Sequence, residues 1–447
     1  MVPSLPPFDF QPRPYTGPSA AEIMALRREF LSPALFHYYR QPLLVVEGRG
    51  QWLFDETGRR FLDGFGGIVT VSVGHGHPAV LDAMRSQVES IQHTTTIYLH
   101  PTVALYARDL AARMPGELKV CYFVNSGSEA NDLAVLMARA ATGNSDVIAL
   151  RNGYHGGTSG TMGLTSPHTW KFNVPHSFGI QHAQMPDTYR GPYGRDDPDA
   201  GRKYALDVNN LIQFGTSGRL AAFIAESIQG VGGAVVFPDG YLKNAYAHTR
   251  AAGGLCIADE VQTGLGRMGD HFWGFQTQGV VPDIVTLAKG IGNGCPLAAV
   301  VTTPAIAQAL ASRLHFNTFG GNPVSAAAGR AVLQVIEQEG LQRNALEIGT
   351  YLGAALEGLK LRHEAIGDVR GRGLLWGVEL VKDRTTREPA REACAAVFET
   401  CRDMGLLIGK AGLHANTLRI TPPLCISRPD AEFMVAVLDE AFSRLPA

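Results

Sequence analysis

Pro282-Asp283-Ile284-Val285-Thr286-Leu287-Ala288-Lys289-Gly290-Ile291-Gly292-Asn293-Gly294 is a short apolar run that delivers one lysine into a glycine-rich turn. The run is too apolar for a solvated sheet edge, so it reads as a buried strand. The glycines after Lys289 allow positive φ or a close backbone approach. Upstream, Leu255-Cys256-Ile257-Ala258-Asp259-Glu260 is a second short apolar strand, and it ends in carboxylates. Further apolar strands are expected at 120–124, 147–150, 222–225 and 298–301. Helical patterns such as 129–141 and 241–252 lie between them. This alternation predicts an α/β fold with a parallel sheet covered on both faces.

A lysine and an aspartate at two strand ends are the pair a pyridoxal phosphate enzyme needs. The lysine holds the aldehyde as a Schiff base. The carboxylate keeps the ring nitrogen protonated, so the ring accepts electrons. Lys289 and Asp259 are therefore the candidate catalytic residues, with Asp259 and Lys289 also contacting the cofactor. Val124-Asn125-Ser126-Gly127-Ser128-Glu129-Ala130-Asn131 leaves a strand and opens a helix. Gly127 permits close approach there, and Ser128 adds a hydroxyl at a helix start whose free N–H groups favour an anion. Gly153-Tyr154-His155-Gly156 follows the next strand, and Tyr154 is placed to stack on the ring with His155 beside it. Val261 is expected on the other face of the ring, and Gln262 near its 3-hydroxyl.

Composition bounds the rest. The chain has 447 residues, 45% hydrophobic and 18% charged, which suits a globular protein with more than one core. A formal charge of −2 gives no electrostatic case for nucleic acid or an anionic membrane. No run of about 18 apolar residues suggests a membrane span. The six cysteines form no C-x-x-C pair, which suits a reducing compartment. The first twenty residues are rich in proline and unlike a signal or transit peptide, so a cytoplasmic location is expected. The segment 1–20 reads as an extended arm and 21–31 as a helix. Residues 43–46 and 51–54 read as strands around a Gly48-Arg49-Gly50 turn. Residues 190–202 read as a mobile surface loop. After Asn322-Pro323 the pattern changes to helices at 326–339, 346–361 and 391–404 and a strand at 374–380. The expected division is an N-terminal segment (1–65), a large cofactor-binding domain (66–322) and a C-terminal small domain (323–447).

Two patterns lead elsewhere and are set aside. Gly264-Leu265-Gly266-Arg267-Met268-Gly269 matches G-x-G-x-x-G, but it lies far from a first strand-to-helix turn, where a dinucleotide fingerprint belongs. His75-Gly76-His77 lacks a third ligand, so no metal is expected.

With these residues in view, the chain resembles a class III aminotransferase of the fold-type I pyridoxal phosphate enzymes over nearly its whole length. It is most similar to the alanine–glyoxylate aminotransferase 2 branch, also known for 3-aminoisobutyrate–pyruvate activity. Besides the lysine and aspartate motifs, the stretches that carry the likeness are Gly67–His75, Asn125–Asn131, His271–Gln276 and Phe316–Pro323. The resemblance implies a large domain with a mostly parallel seven-stranded sheet, plus a small α+β domain built from both ends of the chain. It implies a homodimer with shared active sites, possibly paired into a tetramer, in which Thr318 reaches the neighbouring subunit's cofactor phosphate. It implies that Arg419 grips a substrate carboxylate and that Glu226 masks Arg419 while an ω-amino donor binds. The family usually reads Glu-Pro-Ile-Gln-Gly where this chain has Glu226-Ser227-Ile228-Gln229-Gly230, and the lost proline is expected to loosen Glu226. Ile68 stands where ornithine-using relatives carry tyrosine and would form an apolar substrate wall. Tyr38 and Tyr39 are expected to line the same pocket.

The implied reaction moves an amino group from alanine or a β- or ω-amino acid to glyoxylate or pyruvate by a ping-pong route. Lysine and aspartate motifs do not separate this from a phospholyase, a racemase, a decarboxylase or another ω-amino acid aminotransferase. A non-enzymatic pyridoxal phosphate sensor is the remaining rival, and no partner-binding segment speaks for it.

Overall fold

The protein was analysed as a computed structural model that describes residues 3–446. Its centre is a seven-stranded sheet in the order Val120–Val124, Ala298–Thr302, Ile284–Leu287, Leu255–Asp259, Ala222–Glu226, Val147–Leu150 and Ile180–Ala183. Only Ala298–Thr302 runs antiparallel to its neighbours. The other pairings are parallel. Strands such as Ala222–Glu226 and Ile284–Leu287 are buried along their whole length, because helices cover both faces. Six of the seven strands lie where apolar runs place them. Ile180–Ala183 escapes that reading, since Gln181 and His182 break its apolar pattern and it pairs on one side only.

The register decides the site. Asp259 pairs with Glu226 on one side and Thr286 on the other. Lys289 follows Thr286 by one short turn. Three functional side chains therefore leave the carboxyl ends of three adjacent strands, where open α/β sheets place their ligands.

Two smaller sheets flank this body. Val45–Arg49, Trp52–Asp55 and Arg60–Asp63 form an antiparallel meander whose last strand pairs in parallel with Leu406–Leu407. The first hairpin turns at Gly50-Gln51, with Gly50 at φ 57°, so Gly48 and Arg49 belong to the strand and not to the turn. The arm lies extended along this sheet. Phe8 packs on Trp52 and Phe10 on Phe54. The other sheet runs Ile366–Arg372, Leu375–Leu380, Thr417–Ile420, Gly409–Ala411 and carries Arg419. The helix Pro323–Gln338, capped by Asn322, packs on the helices Pro78–Ser90 and Pro101–Ala111 and so leans on the large body.

The stretch 190–202, expected as a mobile loop, is anchored. Arg190 pairs with Glu379, and Arg195 pairs with Asp368 at 2.6 Å, both carboxylates being buried on small-sheet strands. Its last residues already belong to the helix Ala200–Gly215. Among the described residues no helix is long and apolar enough to cross a membrane.

Candidate active site

A cavity of about 160 Å³ opens at the strand ends, lined by Gly127, Ser128, Asn131, Tyr154, His155, Gly156, Asp259, Val261, Gln262 and Lys289. Larger clefts exist elsewhere, but they lack a lysine set against an aspartate. The structure thus brings together every sequence-expected cofactor residue except Thr318, which is exposed in the turn Asn317–Gly320.

Lys289 begins a short 3-10 turn with a left-handed backbone, φ 49°. Its ammonium makes no hydrogen bond or ion pair among the described residues. Burial, reinforced by the nearby Arg419 charge, pulls its pKa down to about 8. A lysine in that state is close to the free amine that attacks an aldehyde.

Asp259 is 3% exposed, yet its carboxylate is fully served. Oδ2 accepts from Asn131 Nδ2 and faces His155 Nδ1, both at 2.8 Å, and Oδ1 accepts from Val261 N at 3.1 Å. His155 therefore sits behind Asp259 and holds it. It also lines the cavity, so holding Asp259 adds to the place beside the cofactor expected for it. Facing a carboxylate puts the proton on Nδ1, and Nε2 is left buried without a partner among the described residues. Asn131 was missed by sequence reasoning. Its amide also donates to His155 O at 2.9 Å and its Oδ1 accepts from Thr286 Oγ1 at 2.7 Å. A lone asparagine on the buried face of a helix was the available signal.

The anion cup forms at the helix Gly127–Thr142. Its N-cap is Ser126, whose Oγ accepts from Glu129 N at 3.2 Å, so Ser128 lies inside the first turn and does not cap it. The first-turn N–H groups lack intrahelical acceptors and point at the cavity end. Ser128 Oγ accepts from Gly157 N at 3.2 Å. Gly156 is at φ 130°, and a Cβ there would come within 2.3 Å of Ser128 Oγ, so only glycine fits. Tyr154 and Val261 close the cavity, with the Tyr154 ring braced edge-on by Trp170 at 5.1 Å.

Glu226 and Arg419 lie just beyond this lining and do not pair directly. Gln262 stands between them: Nε2 donates to Glu226 Oε2 at 3.2 Å, and Oε1 accepts from an Arg419 Nη2. The place expected for Gln262, beside a cofactor hydroxyl, is thus also a bridge between the two charges. Glu226 also accepts from Tyr154 N at 3.1 Å and Gly230 N at 3.0 Å, and burial pushes its pKa up. Arg419 is 2% exposed, packs over the Phe65 ring at 5.5 Å and leaves Nε unpartnered among the described residues. Burial lowers its pKa to about 10.

The serine in place of the family proline has a physical reason. Ser227 Oγ donates to the buried Glu260, which also accepts from Gly274 N at 2.6 Å and Phe275 N at 2.9 Å. Glu226 is not loosened, since three donors hold it. Ser227→Ala is expected to destabilise the fold by about 1.5–3 kcal/mol, the range for a hydrogen bond to a charged group. Denaturant titration checks this, with cofactor binding unchanged.

Ile68 does not line the cavity. It sits 49% exposed in a left-handed turn, Gly66 to Val69, with φ between 57° and 64°. Two β-branched residues in that conformation cost roughly 1–2 kcal/mol each, a local strain of the kind that collects at functional sites. The turn positions Phe65 beneath Arg419. Tyr38 stacks on Phe65 at 5.7 Å and Tyr39 stacks on Phe398 at 4.4 Å, and neither lines the cavity. The histidines of the 75–77 pair are each held by a carboxylate, His75 by Asp63 at 2.7 Å and His77 by Glu339 at 2.8 Å.

Aminotransferase class-III is the family that matches residues 37–442. The chain is a class III aminotransferase. It is 54% identical over 441 residues to alanine–glyoxylate aminotransferase 2 homolog 2, mitochondrial, of Arabidopsis thaliana, covering 99% of this chain and 91% of that protein. It is 46% identical to the human alanine–glyoxylate aminotransferase 2, mitochondrial, covering 99% and 90%. A phospholyase from Arthrobacter solved with phosphoethanolamine superposes with a TM-score of 0.89 at 36% identity, covering 95% of this chain and 100% of that one. A PLP-bound amine transaminase from an uncultivated Pseudomonas species gives 0.86 at 32%, covering 93% and 98%. The fold is fold-type I, and the cofactor of this enzyme is pyridoxal 5'-phosphate. The free lysine, the triply bonded aspartate and the helix start facing one cavity fit that group. The cytoplasmic expectation is overturned, because these relatives are named as mitochondrial proteins. Free thiols suit the mitochondrial matrix as well as the cytosol, since both are reducing, so the six free cysteines do not separate them.

Proposed function

We propose that this class III aminotransferase moves the amino group of alanine or a small β- or ω-amino acid such as 3-aminoisobutyrate to glyoxylate or pyruvate, in two half-reactions. Pyridoxal phosphate supplies an aldehyde and a ring that accepts the electron pair released at the substrate carbon. Lys289 would hold the aldehyde through its Nζ, and the same Nζ would take up and return the proton at the substrate carbon. Asp259, held by His155 and Asn131, keeps the ring nitrogen protonated. Gly127, Ser128 and the helix start would take the phosphate, and Tyr154 and Val261 would flank the ring.

The observation that carries the reading is Arg419. It is a buried guanidinium beside Lys289 whose side-chain partner is the neutral Gln262 amide. A substrate carboxylate replaces that oxygen with a charged, bidentate acceptor. Glu226, reached through the same glutamine, offsets the arginine while a plain amino group occupies the site. Arg419→Ala is expected to raise KM for carboxylate substrates about 10–100-fold, from the loss of a charge-assisted pair of about 1.5–3 kcal/mol. Steady-state kinetics with alanine and with an amine lacking a carboxylate check the selectivity. Equal losses for both would remove the assignment.

The purified enzyme, mixed with single amines, tests the function. Loss of the cofactor's long-wavelength absorbance with alanine or 3-aminoisobutyrate, restored by glyoxylate or pyruvate, supports transfer. Ammonia and inorganic phosphate released from phosphoethanolamine without a keto acid would assign the lyase reaction of the Arthrobacter neighbour instead.

The enzyme works as a homodimer in this proposal. Ile97, Tyr98, Leu99, Leu314, Phe316 and Phe319 are exposed together with Thr318, a concentration of apolar surface that monomers rarely leave open. Light scattering is expected to give twice the chain mass. Thr318→Ala is expected to keep that mass while weakening cofactor binding.

A further inference from the structure

The glycine-rich stretch 264–269 follows the strand that carries Asp259, and its arginine occupies a position that the reaction above does not use. Arg267 is 2% exposed and ranks among the largest fully buried side chains. Among the described residues it makes no ion pair. Its Nη1 donates instead to two carbonyls, Leu374 O at 2.9 Å and Pro422 O at 2.8 Å. Its own carbonyl accepts from Leu374 N at 2.9 Å.

Those two carbonyls flank the strand pair that carries Arg419. Leu374 leads directly into the strand Leu375–Leu380, and Pro422 lies just past the end of Thr417–Ile420. In that pair Gly377 stands opposite Arg419 and Trp376 opposite Ile420. Arg267 itself stands on the segment that leaves Asp259 and passes through Val261 and Gln262. One guanidinium thus ties the cofactor-side segment to both strands that present Arg419. The fit around it is tight: Gly373 is at φ 55°, and a Cβ there would come within 2.1 Å of Arg267 O.

The charge matters as well as the grip. An arginine buried without a carboxylate is costly, and a neutral side chain of similar volume would avoid that cost. Burial and the Arg419 charge together lower its pKa to about 9. The Arg419 charge thus reaches Arg267, and among the described residues neither guanidinium forms an ion pair, Asp63 and Glu226 acting on them only at longer range. An arriving anion supplies the missing charge.

We propose that Arg267 is a positioning residue for substrate carboxylate recognition. It fixes the Arg419 strand against the cofactor pocket and adds positive potential that a substrate carboxylate offsets. The inference rests on Arg419 as the carboxylate grip.

Three variants of the holoenzyme test it: Arg267→Met, which keeps volume and removes charge; Arg267→Lys, which keeps charge and loses the two-carbonyl clamp; and Arg419→Ala. Each is assayed with alanine, with a keto acid and with an amine lacking a carboxylate, and propionate is titrated as a competing carboxylate. Arg267→Met is expected to raise KM for the acids and weaken propionate roughly 10-fold or more. The kcat is expected to stay within a few-fold, and the plain amine to be unaffected. Arg267→Lys is expected to restore part of the propionate affinity. Equal losses for acids and plain amine, or unchanged propionate affinity, would overturn the proposal. If Arg267→Met does not fold, Arg267→Lys decides: unchanged carboxylate KM and propionate affinity at wild-type thermal midpoint overturn it. Arg419→Ala separates the two readings. Loss of carboxylate selectivity there without any in the Arg267 variants sinks only this inference, whereas equal losses for acids and plain amine in Arg419→Ala, or no loss at all, sink the carboxylate grip itself.

Discussion

Lys289→Ala is expected to lower turnover on the order of 10⁴-fold or more, since it removes both the covalent anchor and the proton carrier. The fold should not suffer. The Lys289 ammonium has no hydrogen-bond or ion-pair partner among the described residues to lose, and its burial disfavours the charged form. In the cofactor-free state the substitution is expected to stabilise the protein at neutral pH. The sign follows from linkage. The folded chain releases the lysine proton near pH 8, and the unfolded chain holds it up to about 10.4. Between those values the unfolded state binds more protons, so wild-type stability rises with pH there. The advantage of Lys289→Ala should therefore be full below pH 8 and fade above it. Single-turnover absorbance measures the activity and urea titration at several pH values measures the stability. Substantial remaining turnover in the variant would refute the assigned role.

Asp259→Asn is expected to cost about 10²–10³-fold in the half-reaction, the usual scale for removing one preorganised electrostatic partner. The substitution also sets an amide against groups that all donate. His155 Nδ1, Asn131 Nδ2 and Val261 N converge on the carboxylate, and an amide NH₂ satisfies fewer of them. A stability loss of about 1–3 kcal/mol is expected alongside. Asn131→Ala should give a smaller rate loss, because His155 still holds Asp259. Rapid mixing with alanine, with thermal melts in parallel, checks both. A rate loss in Asn131→Ala equal to that of Asp259→Asn would mean that Asn131 does more than hold the aspartate.

Much of this was legible before the structure. Buried parallel strands are continuous apolar runs, and 120–124, 147–150, 255–258 and 284–287 announce themselves in that way. Lys289 and Asp259 stand at the ends of two of them, so the core of the site follows from local pattern. The edge strand Ile180–Ala183 did not, because a strand paired on one side tolerates polar residues. The stretch 190–202 looked mobile from its Gly, Pro and Asp content, yet Arg190 and Arg195 find buried carboxylates far along the chain. Composition describes a loop's own residues and carries nothing about distant partners.

The sequence by itself determined the α/β class, the cofactor chemistry and the residues that bear it, because each of these depends on short-range order: apolar runs, glycine turns and a side chain at a strand end. The tertiary structure alone decided the second layer. His155 behind Asp259, Asn131 between Asp259 and Thr286, Ser227 on Glu260, Gln262 between Glu226 and Arg419, and Arg267 on Leu374 and Pro422 all join segments distant in the chain. Burial forces these polar groups to find partners wherever the fold brings them together. Which partner each finds is a property of strand register and helix packing, and no local pattern encodes it.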